Sequence, residues 1–258
     1  MSKSPLRVSV VTVCYNSEKT VPDTLISVCA QDYPHLEHVI IDGNSKDKTL
    51  SLVKQGLRSG GSILSEPDKG LYDAMNKGIL RSGSEVVGFL NSDDFFVCEN
   101  AISMIAEKFS DPRIMVVYAD INYVKSESIE SIARRWKSGP FARKQLNFGW
   151  MPPHPTFYAR KSLLEKIGGF DTNLKISADY NLILRCLNNV DDTAVAYIPE
   201  VLIHMRLGGA SNGTDFSAYV RMLKEVAHVA RSNGLARPWV VVGSRIARVL
   251  SQYALSMP

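Results

Sequence analysis

The chain has 258 residues, 45% hydrophobic and 22% charged, a composition that fits a soluble globular protein with a sizeable core. Its formal net charge of +4 is too small to argue for a nucleic-acid partner. Four scattered cysteines form no CxxC pair and have no metal-ligand spacing, which fits small core residues in a reducing compartment. The start, MSKSPLRVSVVTVCYNS, imitates a signal peptide, but its apolar run is short and ends in Tyr15-Asn16 without a small-residue cleavage site. A first core strand is expected there instead, and no segment reaches the about 20 apolar residues needed to span a bilayer.

Residues 8–13 are a β-branched run, the mark of a strand covered on both faces. Ser17 offers an N-cap, after which Val21, Leu25, Val28 and Cys29 recur at helical spacing with Pro22 near the start. A second short strand at 38–41 stops in Asp42-Gly43-Asn44-Ser45. Leu50, Val53 and Leu57 then predict a helix ending at Gly60-Gly61. A third strand at 63–64, a helix through Leu71, Met75 and Ile79, and a fourth strand at 86–90 follow. Ile102, Ile105 and Phe109 predict the next helix, and residues 114–119 the next strand.

This alternation predicts an α/β fold, a mostly parallel sheet with helices on both faces. Ligands of such sheets bind at the carboxyl ends of the strands. The polar clusters fall there: Tyr15-Asn16-Ser17, Asp42-Gly43-Asn44, Glu66-Pro67-Asp68-Lys69-Gly70 and Asn91-Ser92-Asp93-Asp94. After residue 120 the alternation breaks down into short β-like pieces and a basic loop, Arg134-Arg135-Trp136-Lys137. The stiff segment Pro152-Pro153-His154-Pro155, a short helix at 162–167 and a helix at 178–187 come next. No repeat or linker appears, so one domain with a helical tail is expected.

The tail is basic. Residues 216–258 hold six Lys/Arg against the single acid Glu225, more positive charge than the whole chain nets. Within it Trp239, Val242, Ile246, Val249 and Tyr253 recur at helical spacing, with Arg245 and Arg248 off the stripe. Such a helix either packs on the domain or lies on an anionic membrane surface.

Asp93-Asp94 is the sharpest chemical signal. One carboxylate would serve as a cap for the helix that follows, but the second only adds repulsion unless a cation relieves both. Paired carboxylates are suitable hard ligands for Mg²⁺ or Mn²⁺. Asp42 is equally consistent with a turn residue, His154 with a structural histidine, and Asp179 with a first-turn acid or a general base. Neither GxGxxG nor GxxxxGK[ST] occurs, which disfavours a dinucleotide site and a P-loop.

VSVVTVCYNS, VIIDGNSKDKT, SEPDKGLYDAMNKGI and GFLNSDDFF, in that order, resemble glycosyltransferase family 2, inverting enzymes of the GT-A fold. MPPHPTFYARKSLLEKIGGFD, ISADYNLILR and RLGGASN resemble its bacterial branch that builds O-antigens and exopolysaccharides. The resemblance spans roughly residues 6–213. It implies a nucleotide-sugar half at 1–120, an acceptor and catalytic-base half at 121–213, and a basic amphipathic tail at 214–258. By this resemblance Val13, Tyr15, Asp42, Asp68 and Asn76 line the pocket of the nucleotide-sugar, with UDP first among nucleotides. Asp94 holds a Mn²⁺ or Mg²⁺ ion, and Asp93 either assists it or touches the ribose. Asp179 is the base, Arg206 with Gly208-Gly209 closes over the diphosphate, and His154 touches the acceptor. The implied acceptor is a glycan or a polyprenyl-diphosphate-linked sugar, and the implied location is the cytoplasmic face of the membrane. One departure stands out: where relatives read Asp-x-Asp-Asp, this chain has Asn91 in the first position. A sugar nucleotidyltransferase and a catalytically inert carbohydrate-binding scaffold are the rival readings.

Overall fold

The computed structural model describes residues 5–208 and 216–254. Its central strand is β1 (Val8–Cys14), all seven residues of which are buried. A continuous β-branched run has no solvent face, so both sides must be covered. β2 (Leu36–Asp42) lies parallel on one flank with Cys14 level with Asp42, and β4 (Val86–Phe89) lies parallel on the other. β3 (Ser62–Ser65) extends the same side, with Ser65 level with Asp42. The carboxyl ends of these strands therefore share one edge, as the alternation predicts.

The helices α1 (Val21–Cys29), α2 (Thr49–Gly56), α3 (Leu71–Arg81) and α4 (Ala101–Phe109) cover this half. Two glycines permit the closest approaches. A Cβ on Gly78 would sit 2.2 Å from the Val11 side chain, and one on Gly88 would sit 2.2 Å from the Tyr158 ring. Both distances are far inside van der Waals contact, so neither site accepts a side chain without moving its neighbour.

The second half is a mixed sheet. It contains β5 (Phe95–Phe96), β6 (Val116–Lys125), β7 (Ser128–Trp136), β8 (Tyr158–Arg160) and β9 (Val195–Arg206). The full order is β3-β2-β1-β4-β8-β6-β9-β5, with β7 paired to β6. Pairings of β8 with β4 and β6, of β7 with β6, and of β5 with β9 are antiparallel. Arg134, Arg135 and Trp136, expected in a loop, are the end of β7. β9 has no counterpart in the sequence reading. Its register against β6 jumps from Ala119–Ile198 to Asp120–Val201, so Pro199 and Glu200 form a bulge. A proline is tolerated there because no ladder hydrogen bond is asked of it.

α5 (Lys161–Ile167) and α6 (Ala178–Asn188) follow β8, and α7 (Phe216–Ser232) and α8 (Pro238–Ala254) end the described chain. Val226, Val229, Ala230, Val241 and Val242 are buried in one cluster with Trp150, Tyr180 and Leu182. The tail thus shares the core of the sheet. The predicted apolar stripe packs only in part: Val242 is buried and Ile246 lies against the core, whereas Trp239 is 64% exposed, Val249 40% and Tyr253 39%. Val241, Arg245, Arg248 and Gln252 turn inward instead, because Arg245 stacks its guanidinium 4.3 Å above the Tyr180 ring. No helix among the described residues is long and apolar enough to cross a membrane.

Candidate active site

The strand ends open on a cleft of about 730 Å³, lined by Val13, Tyr15, Asp68, Asn91, Asp93 and Arg206 among others. Two loops on its rim are stitched together. Asn16 adopts a left-handed φ of 49°, which an asparagine tolerates better than most residues, and its Oδ1 accepts the Lys46 N–H at 2.8 Å. The Ser17 N–H donates to Thr49 Oγ1 at 2.7 Å, and the Lys48 N–H to Glu18 at 2.9 Å. Tyr15 stands free at the mouth, 61% exposed. A flat, free ring at a strand end is suited to stacking on a planar ligand.

Asp68 accepts the Gly70 N–H at 2.8 Å and lies directly over Gly43, where a Cβ would meet its Oδ2 at 2.5 Å. Asp42 does not reach the cleft. It is fully buried, and its carboxylate accepts hydrogen bonds from the Ser45 N–H and hydroxyl and, at 2.6 Å, from the Ser65 hydroxyl. In this structure the carboxylate ties the ends of β2 and β3 together behind the wall, rather than lining the cleft where a nucleotide base was expected. Asn76 is likewise redirected. Its amide donates to the Phe170 carbonyl at 2.9 Å and accepts the Phe170 N–H at 2.8 Å, which pins α3 to the turn before α6.

The acidic pair divides its positions. Asp93 is half-buried on the cleft wall, and burial raises its carboxyl pKa against the opposing pull of Arg206. Asp94 is wholly buried behind it, and burial with the neighbouring Asp93 charge raises it well above the usual carboxylate range. Its Oδ1 accepts the Arg206 N–H at 3.2 Å, while its Oδ2 is buried with no hydrogen-bond partner. An orphaned buried carboxylate oxygen beside a second acid is what a hard divalent cation would satisfy, so these residues fit one. No group of three or more His, Cys, Asp or Glu ligands forms among the described residues, so oxygens of a ligand or water would complete the coordination.

Arg206 does not present a free guanidinium. It pairs with Asp23, donates to the Asp93 carbonyl at 2.9 Å and lies 5.1 Å from the centre of the Phe95 ring. It braces the acidic strand end from below. Gly208 also lines the cleft, whereas Gly209 lies outside the described residues.

Asp179 sits half-buried at the start of α6, accepting the Tyr180 N–H at 2.7 Å. It is not on the cleft wall, yet it and Asp94 share a neighbour. Both carboxylates help raise the Tyr123 hydroxyl, which burial foremost pushes up to about 12. Asp179 also acts on His154, where burial wins and lowers the imidazole pKa. His154 is stacked on Phe89 at 5.4 Å and edge-on to Phe170 at 5.7 Å, in the layer behind Asp179. His154, expected at the acceptor, is buried and packed between these rings.

Three groups were missed from sequence. Tyr72 donates its hydroxyl to the Ile176 carbonyl at 2.7 Å, and the Tyr123 hydroxyl feels the charge of both Asp94 and Asp179. Glu225 of α7 accepts the N–H groups of Lys175, Ile176 and Ser177 at 3.0, 2.9 and 2.9 Å. It therefore holds the entry to α6 and with it Asp179. Its signal was visible as the lone acid of a basic tail. Glu225→Ala should cost roughly 1.5–3 kcal/mol of stability, as expected for charged hydrogen bonds, measured by denaturant unfolding. Glu225→Gln, which keeps one acceptor oxygen, should fall between, and a folded Glu225→Ala as stable as the wild type would remove this role.

Residues 9–168 match the profile of glycosyl transferase family 2. An uncharacterised glycosyltransferase of Mycobacterium tuberculosis is 33% identical over 188 residues, covering 72% of this chain and 70% of the relative. A PGL/p-HBAD biosynthesis glycosyltransferase of Mycobacterium bovis is 27% identical over 209 residues, 79% of this chain and 78% of the relative. Among solved structures, TarS of S. aureus in complex with UDP-GlcNAc superposes with a TM-score of 0.70 at 18% identity, over 95% of this chain and 73% of TarS. A mannosyltransferase from Pyrobaculum calidifontis in complex with GDP-Man and Mn²⁺ gives 0.66 at 17% identity, over 98% and 74% of the two chains. At such identities the likeness shows the fold.

Proposed function

The chain belongs to glycosyl transferase family 2, and on that footing we propose that it moves a sugar from a nucleoside diphosphate sugar, UDP-linked first, onto an acceptor hydroxyl with inversion. The acceptor in this reading is a glycan or a polyprenyl-diphosphate-linked sugar in bacterial cell-surface polysaccharide synthesis, of the lipopolysaccharide or exopolysaccharide kind. The carrying observation is the single wall on which Tyr15, Asp68 and Asp93 meet at the carboxyl ends of the strands. The UDP-GlcNAc held by TarS and the GDP-Man and Mn²⁺ held by the mannosyltransferase support a nucleotide-sugar in the corresponding fold.

Residues 1–120 carry the donor, 121–213 the acceptor and base, and 214–258 the basic tail. Val13 and Tyr15 take the base of the nucleotide, Asp68 its ribose side, and Asp93 and Asp94 would hold a Mn²⁺ or Mg²⁺ ion. When bound, that ion supplies positive charge against the departing diphosphate oxygens. Asp179 takes the proton of the acceptor hydroxyl as its oxygen bonds to the anomeric carbon and the bond to the diphosphate breaks. Attack from the opposite face turns an α-linked donor into a β-glycoside. Arg206 keeps the acidic pair in place rather than closing on the ligand. The exposed Trp239 and Leu250 suit α8 to lie against the cytoplasmic leaflet, with the enzyme acting at that surface.

A thermal-shift and calorimetric screen of UDP, GDP and dTDP with Mn²⁺, followed by donor turnover, tests the reading. Release of a nucleoside diphosphate and formation of a β-linked product from an α-linked donor, read by NMR, is the expected result. Release of pyrophosphate would indicate nucleotidyl transfer, and binding of sugars without any nucleotide would indicate a scaffold.

A further inference from the structure

Three arginines meet at the underside of α8, two from the helix itself and one from β7, without an acid paired to them. Arg134 of β7 is only 7% exposed, and its guanidinium lies 3.6 Å over the Tyr123 ring and 5.3 Å from the Tyr253 ring of α8. Arg245 lies 4.3 Å over Tyr180, the residue after Asp179. Arg248 is one helical turn further along the same inward face. Burial and the neighbouring Arg245 charge lower its pKa. Among the described residues none of the three makes an ion pair. Arg134 Nε, Arg245 Nη1 and Arg248 Nε are buried donors with no acceptor.

Helix packing alone does not account for this. Buried cations that serve only to dock a helix are paired with carboxylates or replaced by apolar residues, because an unpaired buried charge is costly. Stacking on Tyr123 and Tyr180 engages the faces of two guanidiniums but leaves these N–H groups unmet. An anion held edge-on would meet them while the rings stay in place. The location matters as much as the charge. The row starts beside the base position and ends at Tyr123, which feels both Asp94 and Asp179. None of the three arginines lines the donor cleft.

We propose that Arg134, Arg245 and Arg248 form an anion subsite that takes the phosphate or diphosphate of the acceptor, setting the acceptor hydroxyl against Asp179. This deepens the glycosyl-transfer reading and rests on it. Arg245 and Arg248 are half-buried, so the row borders solvent along α8, and the exposed Trp239 on that helix reports binding.

The test uses the full chain with three probes: inorganic pyrophosphate, farnesyl diphosphate in mild detergent, and phosphatidylglycerol vesicles, each titrated by calorimetry and Trp fluorescence. The wild type should bind farnesyl diphosphate, with pyrophosphate competing. Arg245→Gln and Arg248→Gln should each weaken it tenfold or more while UDP affinity changes less than twofold. Arg248→Lys, which keeps the charge, should recover part of the loss and guards against a variant that fails through misfolding. Equal farnesyl diphosphate affinity in the wild type and the folded Gln variants would overturn the subsite. So would a loss confined to vesicle binding, which would make the row a lipid-headgroup contact. Failure of UDP to bind the wild type would instead defeat the glycosyl-transfer reading itself.

Discussion

Asp179→Asn is expected to lower kcat by about 10²–10⁴-fold while UDP affinity in the presence of Mn²⁺ stays at the wild-type level. The substitution keeps the shape of the side chain and an oxygen for the Tyr180 N–H, so the start of α6 should not move. It removes the one property in question, the capacity to take a proton from an alcohol. Donor-side residues are untouched, since Asp179 lies off the cleft wall that carries Tyr15, Asp68 and Asp93. Single-turnover transfer and calorimetric UDP titration separate the two effects. Undiminished transfer would remove Asp179 from the reaction, and a parallel loss of UDP binding in a folded variant would make it a donor-site residue. A secondary sign is available as well. The Asp179 charge acts to raise the His154 pKa, so the variant should shift the His154 imidazole to still lower pH by NMR.

The parallel half of the sheet was legible because β1 and β4 are fully buried apolar runs, β2 nearly so, and each stops in a polar cluster, the signature of strands that end at a ligand edge. β9 was not legible. Pro199 interrupts its pattern, and its alternating half-buried residues carry no period a single sequence can distinguish from a loop. For the site, sequence position marked the strand ends but not the direction in which each side chain turns. Asp42 and Asp68 looked alike as acids in Gly-containing turns. Only the fold shows that Ser45 and Ser65 close on Asp42 from either side while Asp68 stays on the cleft. The partner that Asn76 takes was hidden for the same reason, since Phe170 is 94 residues away. The tail shows a third kind of failure. Helical spacing located its apolar stripe, but the inward turn of Arg245 is set by Tyr180 and Gly149, which no spacing in the tail reveals.

These contacts tie the two halves of the candidate site to opposite ends of the chain. Arg206, at the end of β9, supports Asp93 and Asp94 and reaches across to Asp23 of α1. Glu225, in α7, supports the turn that leads into Asp179. Neither residue needs to touch a substrate to matter. Each replaces water around a backbone segment that would otherwise be free to drift, and a base or acid pair displaced by about 1 Å loses much of its effect.

Asp94→Asn should separate stability from function. Because Asp94 is raised in the folded state, the folded protein binds its proton more tightly than the unfolded chain does. Stability from this group is therefore present at low pH and lost as pH rises past the unfolded value of about 3.9 toward the raised folded value. The neutral amide avoids that loss. Without metal, Asp94→Asn should melt above the wild type at pH 7, and the two curves should converge as pH falls below about 4. With Mn²⁺ and UDP the order should reverse. At a hundredfold excess over Kd the wild type gains about 2.7 kcal/mol from the ligand. The variant, with no second carboxylate to meet the cation, should forfeit most of this metal-dependent gain and the transfer activity with it. Melting curves across pH 4–8, with and without Mn²⁺ and UDP, read both halves of the expectation. A variant less stable than the wild type in metal-free buffer at pH 7 would show that Oδ2 is satisfied by something other than a cation. A full Mn²⁺-dependent gain in the variant would leave Asp93 as the only acid the metal uses. The inversion itself is the diagnostic, since an acid kept for packing would stabilise under both conditions, whereas one kept for a ligand is tolerated at a cost until the ligand arrives.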